Sequence, residues 1–529
     1  MREFLLSVGY DRWILPALLI IPLIGAVLVL LGGRQAEGED EVASGAAKRS
    51  SMLATIVFGV EFVLSAGLWW AFDPAVSGWQ QRFDMSWIPS WGARFTIGLD
   101  GIALMMVLLT TFIMLLASIG SFTSVRQKTS SYYALLLVLT TGMLGVFMAL
   151  DLFLFYVMWE MMLVPMYFII GIWGGERRIY ASLKFFIYTM IGSLLMLVGI
   201  VYLGLQARNT ATFVPDFSYD AIMATVQLTP TAALWLFGAF FLAFAVKVPM
   251  FPFHTWLPDA HVEAPTAGSV VLASIMLKLG TFGFLRLAVP LFPTAAMNPT
   301  VRGIVLALAV VGIVYGALLS LVQPDFKKLV AYSSVSHLGF VMLGIFALTV
   351  QSVQGALMVM INHGISTGAL FFLIGMIYER RHTRLIEAYG GIARVVPLFS
   401  TILVIVMFSS IGVPGTNGFI GEFLVLLGSY RTYPVFAVIA ATSVIITAAY
   451  LLWAVQRIIF NKLDKPENEH IPDLNRRELL LLAPLLFCIV WLGVYPAPVL
   501  RRMQPAAEQF VRTVETRAAM PTASAEGVR

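Results

Sequence analysis

Cysteine and charged residues are both scarce in this chain of 529 residues. There is a single cysteine, Cys488, so disulfide bonds, a zinc site built on cysteines and an iron–sulfur cluster held by this chain alone are excluded. Charged residues make up 12% of the chain, about half the roughly 25% that is typical of soluble domains. A soluble protein is therefore excluded, and any redox centre that serves this chain must lie on another chain.

Apolar residues fill the place of the missing charges and account for 59% of the sequence. Because one membrane-spanning helix needs only about 20 apolar residues, much of the chain must lie in lipid. The spanning runs show no strand-like alternation, which predicts an all-α, multi-pass membrane protein with about fourteen transmembrane helices. The fourteen runs begin near Trp13, Met52, Asp100, Tyr132, Leu152, Ser182, Ala232, Ala264, Gly303, Leu329, Val353, Val396, Val435 and Leu479.

Two polar stretches, residues 32–50 and 502–529, read as a solvated loop and a solvated tail. The net charge of +5 does not indicate nucleic-acid binding, because the basic residues are divided among many short loops. Placing the N-terminus outside puts 19 of the 34 lysines and arginines in cytoplasmic loops and eight at the N-terminus and in outer loops. We therefore expect the N-terminus on the outer side.

Two of the spans are interrupted. The seventh is followed, after Lys247, by prolines at positions 249, 252, 258 and 265, and the twelfth contains a glycine-rich break at residues 411–421. A broken helix at membrane depth survives only where it is buried in protein or lines a wet cavity. The breaks are either packing kinks or the mark of an inverted-repeat transporter.

The spacing of ionisable residues favours the repeat. Lys247 and Glu422 are 175 residues apart, and Glu160 and His337 are 177 apart. This predicts an N-terminal region at residues 1–131, a first five-helix repeat at 132–288 with a break near 247–253, an inverted repeat at 300–460 with a break near 411–422, and a last helix with a polar tail at 461–529.

Seven ionisable residues fall inside spans: Glu61, Glu160, Lys247, Lys278, His337, His363 and Glu422. A charge at mid-bilayer costs about 2.5–3.5 kcal/mol even on the lenient insertion scale, so each is expected to face protein or water. Both signs are present, so the set is either a row that carries protons or a group of static ion pairs. His363 reads more simply as a hydrogen-bonding core residue, and Glu61 as half of an interhelix pair or a contact with a partner.

The segment after the seventh span holds His254, Asp259, His261 and Glu263, which are possible metal-ligand types. Prolines between them prevent the histidine pair from sharing one helix face, so no metal site is predicted. No phosphate loop, nucleophile elbow, dinucleotide fingerprint or haem attachment site is present in the sequence.

Residues 247–280, which run from Lys-Val-Pro-Met-Phe-Pro-Phe-His-Thr-Trp-Leu-Pro to Leu-Lys-Leu-Gly, resemble the signature of the antiporter-like subunits of respiratory complex I and of Mrp-type sodium/proton antiporters. The resemblance extends over residues 159–160, 325–334 and 415–422 and covers most of the chain. Glu422, where the L, N and antiporter relatives usually carry lysine, favours the M-type branch. So does the expectation that only a short polar tail, without a long lateral helix, follows the last span.

The resemblance implies proton translocation in NADH-quinone oxidoreductase. Glu160 and Lys247 would form a switching pair, Lys278 and His337 would continue a hydrated axis with His363 as a candidate relay, and Glu422 would end it. No cofactor is implied in this chain, while NADH, flavin, iron–sulfur clusters and quinone are implied on partner subunits. The implied partners are other complex I membrane subunits, including the L and N chains, in the bacterial inner membrane. An Mrp-type antiporter subunit and a structural scaffold are the alternatives.

Overall fold

A computed structural model describes residues 1–33, 45–208 and 212–520 of the chain. Among these residues, thirteen helices are long and apolar enough to cross a membrane. A further crossing is formed by two shorter helices that meet at a break, which makes fourteen. Each predicted span start lies within about seven residues of a helix start. The prediction of an all-α, multi-pass membrane fold is confirmed.

The helices of the first half are α1 (Arg2–Ser7), α2 (Tyr10–Gly33), α3 (Gly45–Ala66), α4 (Leu68–Ala71), α5 (Gly101–Ser124), α6 (Thr129–Met148), α7 (Leu152–Trp173), α8 (Arg178–Gln206), α9 (Tyr219–Thr225), α10 (Pro230–Lys247), α11 (Trp256–Glu263), α12 (Thr266–Val271), α13 (Leu277–Gly283), α14 (Val289–Leu291) and α15 (Pro293–Ala296). Those of the second half are α16 (Pro299–Leu321), α17 (Phe326–Ala347), α18 (Val350–Arg381), α19 (Pro397–Ile411), α20 (Asn417–Tyr430), α21 (Pro434–Val455), α22 (Arg476–Val494) and α23 (Ala497–Ala518). Helices α12, α13 and α14 form one crossing through π-helical turns at Leu272–Met276 and Phe284–Ala288.

Polar side chains define where several of these helices start. Asp100 accepts hydrogen bonds from two backbone amides of α5, and Asp151 accepts one from α7. Helices α18 and α22 begin with capping boxes, in which the N-cap and third side chains bind each other's backbone amides. Each cap satisfies donors that lipid could not satisfy, so the apolar runs begin where the sequence provides an oxygen.

The two breaks separate α10 from α11 and α19 from α20. Lys247 is the last residue of α10, whereas Glu422 lies on α20, beyond its break. At the second break Gly412 has a φ of +83°, which a residue with a side chain rarely adopts. The two charged residues therefore flank their breaks on opposite sides, and the spacing of 175 residues does not join equivalent positions.

A β-hairpin that the sequence analysis did not predict lies between α4 and α5. Strands β1 (Gln80–Ile88) and β2 (Ala93–Leu99) pair antiparallel. Arg94 bridges across the pair to Asp84 at 2.6 Å. The amide of Leu150 donates to the carbonyl of Thr96 at 2.8 Å, which ties the hairpin to the loop between α6 and α7.

Successive loops lie on alternate faces of the molecule, because each helix crosses the membrane once, so every second loop lies on the same face. Arg477, in the first turn of α22, donates to Thr123, at the end of α5, at 2.9 Å, and the Gly175 amide donates to the carbonyl of Glu263 at 2.9 Å. The opposite face carries the hairpin, α9, α15 and α23. With the N-terminus outside, as the distribution of basic residues predicts, the first face is cytoplasmic.

The predicted solvated tail is wrong for residues 502–518, which belong to the amphipathic helix α23. Its buried residues Val499, Met503, Phe510 and Val514 recur at helical spacing, and the Arg502 guanidinium lies 3.7 Å from the centre of the Trp69 ring. The overall composition of α23 is polar, but its apolar residues recur with the period of a helix and form one apolar face. A helix of 22 residues, and not only a short polar tail, therefore follows the last span. Residues 45–50 of the predicted loop begin α3, and residues 34–44 and 521–529 lie outside the described ranges.

Three crossings are the most enclosed. The most apolar windows of α17 and α18 are 94% and 100% buried, and that of the α12–α14 crossing is 94% buried, against 28% in the crossing that contains α3. These enclosed helices carry His337, His363 and Lys278. Burial of these helices by other helices keeps their ionisable groups out of lipid, as the cost of a charge in a bilayer demands.

Candidate proton-translocation site

Glu160 and Lys247 lie near each other but do not form an ion pair. The Lys247 side chain is buried, and its Nζ lies 5.6 Å and 5.2 Å from the ring centres of Trp159 and Phe185. In the described ranges no ion pair within 4.0 Å joins it to Glu160. Glu160 is half-buried and faces Ser193 and Tyr156. A static ion pair was one of the two alternatives for the charged residues in the spans, and Glu160 and Lys247 do not form one in this structure.

The break after Lys247 is itself well braced. The Trp256 indole donates to the carbonyl of Val246 at 2.8 Å, and the amide of Met250 donates to the carbonyl of Ala245 at 2.9 Å. These bonds satisfy carbonyls that the prolines leave without donors. Lys247 thus sits at the C-terminal end of α10, where the partial negative charge of the helix favours a cation.

Lys278 and His363 are in direct contact. Lys278 Nζ lies 2.6 Å from His363 Nδ1 and also donates to the carbonyl of Ala273, in the π-helical turn before α13. A Cβ at Gly364 would lie 3.0 Å from the carbonyl oxygen of Ser274, so glycine at this position lets α18 approach the turn closely. His363 is thus a buried hydrogen-bonding residue, as its simpler interpretation predicts, and its partner is Lys278.

His337 and Glu422 form the second contact. His337 Nδ1 lies 2.7 Å from Glu422 Oε1, and both side chains are about nine-tenths buried. The ring centres of His337 and His363 are 5.7 Å apart. A cavity of about 20 Å³ lies among His337, His363, Ser366 and Glu422, which is enough for one water molecule. Lys278, His363, His337 and Glu422 therefore form one row, here called the axis.

Next to this cavity lies a network of uncharged polar groups. Ser366 and Ser409 share a hydrogen bond of 2.6 Å, and Ser409 donates to Asn417 at 2.5 Å. Asn362 donates to the backbone carbonyl of Asn417 at 2.5 Å. The network ties α18 to both halves of the broken helix, so the break that carries Glu422 is held beside the axis.

The four candidate metal-ligand types diverge. Asp259 pairs with Lys184 at 2.7 Å, and Glu263 accepts from the amide of Arg177 at 2.9 Å. His254 packs edge-on against Tyr315. His261 is fully buried, stacks on Phe371 at 4.7 Å, and neither ring nitrogen has a hydrogen-bond partner among the described residues.

His261 is a candidate that the sequence analysis did not single out as a proton carrier. Its helix, α11, packs against α17, which carries Lys327, and the Ser269 hydroxyl on α12 donates to the backbone carbonyl of His261 at 3.0 Å. Lys327 donates to the carbonyl of Ala264 at 2.6 Å and, with Glu263, lines a cavity of about 530 Å³ on the cytoplasmic face. His261 is recognised as a candidate only because its helix lies next to both this cavity and the axis. The sequence alone does not show which helices are neighbours.

Glu61 forms neither the interhelix pair nor the partner contact that the sequence predicts for it. It is fully buried, which rules out direct contact with a partner chain, and both carboxylate oxygens lack a hydrogen-bond partner within the described part of the chain. The helices α2, α5 and α6 pack around α3 at this level. The apolar residues that flank it in the sequence gave no indication of this enclosure.

Known proteins resemble the chain over nearly its whole length. Residues 149–447 match the family model described as NADH:quinone oxidoreductase/Mrp antiporter, TM. The NADH-quinone oxidoreductase subunit M of Rhodobacter capsulatus is 44% identical over 506 residues, which cover 94% of this chain and 96% of the relative. A chain of respiratory complex I from Thermus thermophilus with bound NADH is 31% identical, with a TM-score of 0.83 over 94% of this chain and 99% of that one.

The Mrp complex from Dietzia sp. DQ12-45-1b has a chain with a TM-score of 0.77, covering 95% of this chain and 55% of that one. Its sequence identity is only 20%, so that likeness supports the fold alone. The identities to the complex I proteins are higher, and the match to their lengths is nearly complete. The chain therefore belongs to the NADH:quinone oxidoreductase/Mrp antiporter membrane-subunit family and, within it, to the subunit M group of NADH-quinone oxidoreductase.

Proposed function

We propose that this chain moves protons across the membrane while other subunits pass electrons from NADH to quinone. The observation that carries the proposal is the row of contacts from Lys278 through His363 and His337 to Glu422 inside the most enclosed helices. Proton relays in membrane proteins are built from such intramembrane ionisable residues. The row has both charge signs and both of its histidines can accept or donate a proton.

A proton can pass along the axis in short steps. Between Lys278 Nζ and His363 Nδ1 it moves along an existing contact of 2.6 Å, and between His337 and Glu422 along one of 2.7 Å. The gap between the two rings lies at the cavity that has room for one water molecule. Glu160 and Lys247 act on the axis through their charge, because α10, which ends at Lys247, packs against α13, which carries Lys278, and charges interact strongly where little water screens them.

Protons would reach the axis from the cytoplasmic cavity. The cavity ends at Lys327 and Glu263, and His261 lies buried beyond it with two unpartnered ring nitrogens. We propose that His261 passes protons from the cavity toward Lys278. Its stacking on Phe371 holds the ring plane, so that exchange takes place at the nitrogen atoms along the ring edge.

The arrangement of helices supports two five-helix units, residues 132–288 and 300–460, of which the second is inverted. The helices α16, α17, α18, α19 and α21 each begin roughly 170 residues after α6, α7, α8, α10 and α12. An odd number of crossings per unit reverses the second copy in the membrane. In this proposal, residues 1–131 and 461–529 flank the two units.

The redox chemistry belongs to other chains in this proposal. A single cysteine cannot hold an iron–sulfur cluster, so NADH, flavin, the clusters and quinone are assigned to partner subunits. The neighbours in the membrane would be further membrane-arm chains, including the L and N chains, in a bacterial inner membrane. The proposed catalytic residues are Glu160, Lys247, Lys278, His337 and Glu422, with His363 as a relay.

The test is the number of protons moved per NADH in membranes that carry Lys247→Ala or Glu160→Gln. Pumping should fall in both, while NADH:ferricyanide reduction, which reports on assembled redox subunits, stays unchanged. Full pumping in both variants would refute the proposal and leave a structural scaffold. A sodium pulse in cells without NADH oxidation tests the antiporter alternative, which requires sodium-driven alkalinisation.

A further inference from the structure

Glu61 occupies the buried face of α3, far in the chain from the residues of the axis. The buried positions of this helix are Ser50, Ala54, Phe58, Glu61 and Ser65, spaced by three or four residues, so they form one face. The axis residues lie on α13, α17, α18 and α20, and Glu61 shares no helix with them. A titratable group is thus enclosed in a part of the fold that the proposed function does not use.

An ionised carboxylate without a partner is strongly disfavoured in such a place, so Glu61 is present as the neutral acid. Its O–H then needs an acceptor. A Cβ at Gly25 would lie 2.8 Å from Val57, so the antiparallel helix α2 passes Glu61 near residue 21, and Tyr10, nearer the outer end of α2, donates to the carbonyl of Leu64. Pro22 has no amide hydrogen, which leaves the carbonyl four residues before it without a helical donor. That carbonyl, at residue 18, lies about one helical turn from the depth of Glu61.

The hydroxyl groups nearest to Glu61 along α3 lie on the side of the outer face. Ser65, one turn further along α3, shares a hydrogen bond of 2.7 Å with Thr111 on α5. One residue away, the carbonyl of Leu64 accepts from Tyr10, which lies near the outer end of α2. Toward the cytoplasm the next hydroxyl pair, Thr55 with Ser118 at 2.6 Å, is six residues away, about 9 Å along the helix, against about 6 Å for Ser65.

We propose that Glu61 is a second proton-binding site of this chain, separate from the axis, which exchanges its proton with the outer face by way of Ser65 and Thr111. The ligand is a proton, and no other group is consumed or released. A side chain that is only structural would exchange its proton no faster than the surrounding helices open locally. The two possibilities differ in exchange, which can be measured without any assumption about the axis.

The experiment is infrared difference spectroscopy on the purified complex that contains this chain, with H₂O replaced by D₂O. The carbonyl stretch of a protonated carboxylic acid shifts on deuteration, and the Glu61→Gln complex identifies which part of the signal belongs to Glu61. We expect a signal that is lost in Glu61→Gln and that shifts in D₂O within minutes. A band that is absent, or that fails to shift in D₂O over a day, would overturn the proposal.

A matched pair of variants tests the direction. Ser65→Ala combined with Thr111→Val should slow the exchange of the Glu61 band at least tenfold, while Thr55→Val, on the cytoplasmic side, should leave the rate unchanged. Equal rates in both, or slowing only in Thr55→Val, would contradict an outward route. Glu61→Asp keeps the acid and serves as a second variant if Glu61→Gln prevents assembly. Loss of pumping in Lys247→Ala remains a separate result, so each proposal can fail alone.

Discussion

The contact between Lys278 and His363 gives the sharpest test of the axis. His363→Ala removes the partner of Lys278 at 2.6 Å. A hydrogen bond to a charged group is worth about 1.5–3 kcal/mol, and each 1.36 kcal/mol is a factor of about ten in rate, so proton transfer through this step should slow roughly tenfold to a hundredfold. His363→Gln separates two effects, because the amide oxygen can still accept from Lys278 but cannot carry a proton.

If His363 is a relay, both variants lose pumping, measured as fluorescence quenching of a ΔpH dye in NADH-energised vesicles. If it only anchors Lys278, His363→Gln pumps normally and His363→Ala does not. His470→Gln, at an exposed position in a cytoplasmic loop, is the matched control and should behave as the wild type. Wild-type proton yield per NADH in His363→Gln would refute the relay, provided that NADH:ferricyanide reduction shows normal assembly.

Three further perturbations address other parts of the structure. Lys247→Arg should abolish pumping although the charge is kept, because arginine does not release its proton, and normal pumping in this variant would contradict a switching role. In Gly355→Ala the new Cβ would lie 2.5 Å from a backbone nitrogen of α20, so the amount of assembled complex on native gels should fall, whereas Gly238→Ala, which meets nothing within 4 Å, should assemble normally. The Arg94 guanidinium holds the pKa of Asp84 below its usual value, so the ion pair stabilises the hairpin above about pH 4 and is lost as the pH falls through the lowered pKa. Hydrogen exchange of the hairpin amides should therefore become faster in that pH range. In Asp84→Asn, which has no carboxylate to titrate, the exchange rate should show no such step.

Most of the membrane fold follows from the sequence, because lipid leaves few choices. A helix is the only way for an apolar run of some twenty residues to satisfy its own backbone, so the spans could be located from composition. The breaks could be located as well, since proline after Lys247 and glycine at Gly412 act on the backbone directly. These features depend on local chemistry and need no knowledge of the neighbouring helices.

The features that sequence reasoning missed depend on the spacing of apolar residues along a helix or on which helices are neighbours. Helix α23 was read as a tail because its average composition is polar, although Met503 and Phe510 lie on one apolar face. His261 was passed over as a proton carrier, and the partner of His363 could not be named, because an isolated histidine has no local mark of its partner. Only the approach of α18 to the α12–α14 crossing shows that His363 meets Lys278.

The contacts along the axis also limit how many protons it can hold. Lys278 and His363 cannot both be positively charged at 2.6 Å without a large repulsion, because the surrounding helices exclude most of the water that would screen it. An excess proton on one group therefore drives its neighbour to the neutral form, which is the form that can accept the next proton. At the far end, the carboxylate of Glu422 attracts the charge that His337 receives. In the proposed function, a row of this kind transfers a proton rather than storing several, and a change of charge at Lys247 would set when the transfer begins.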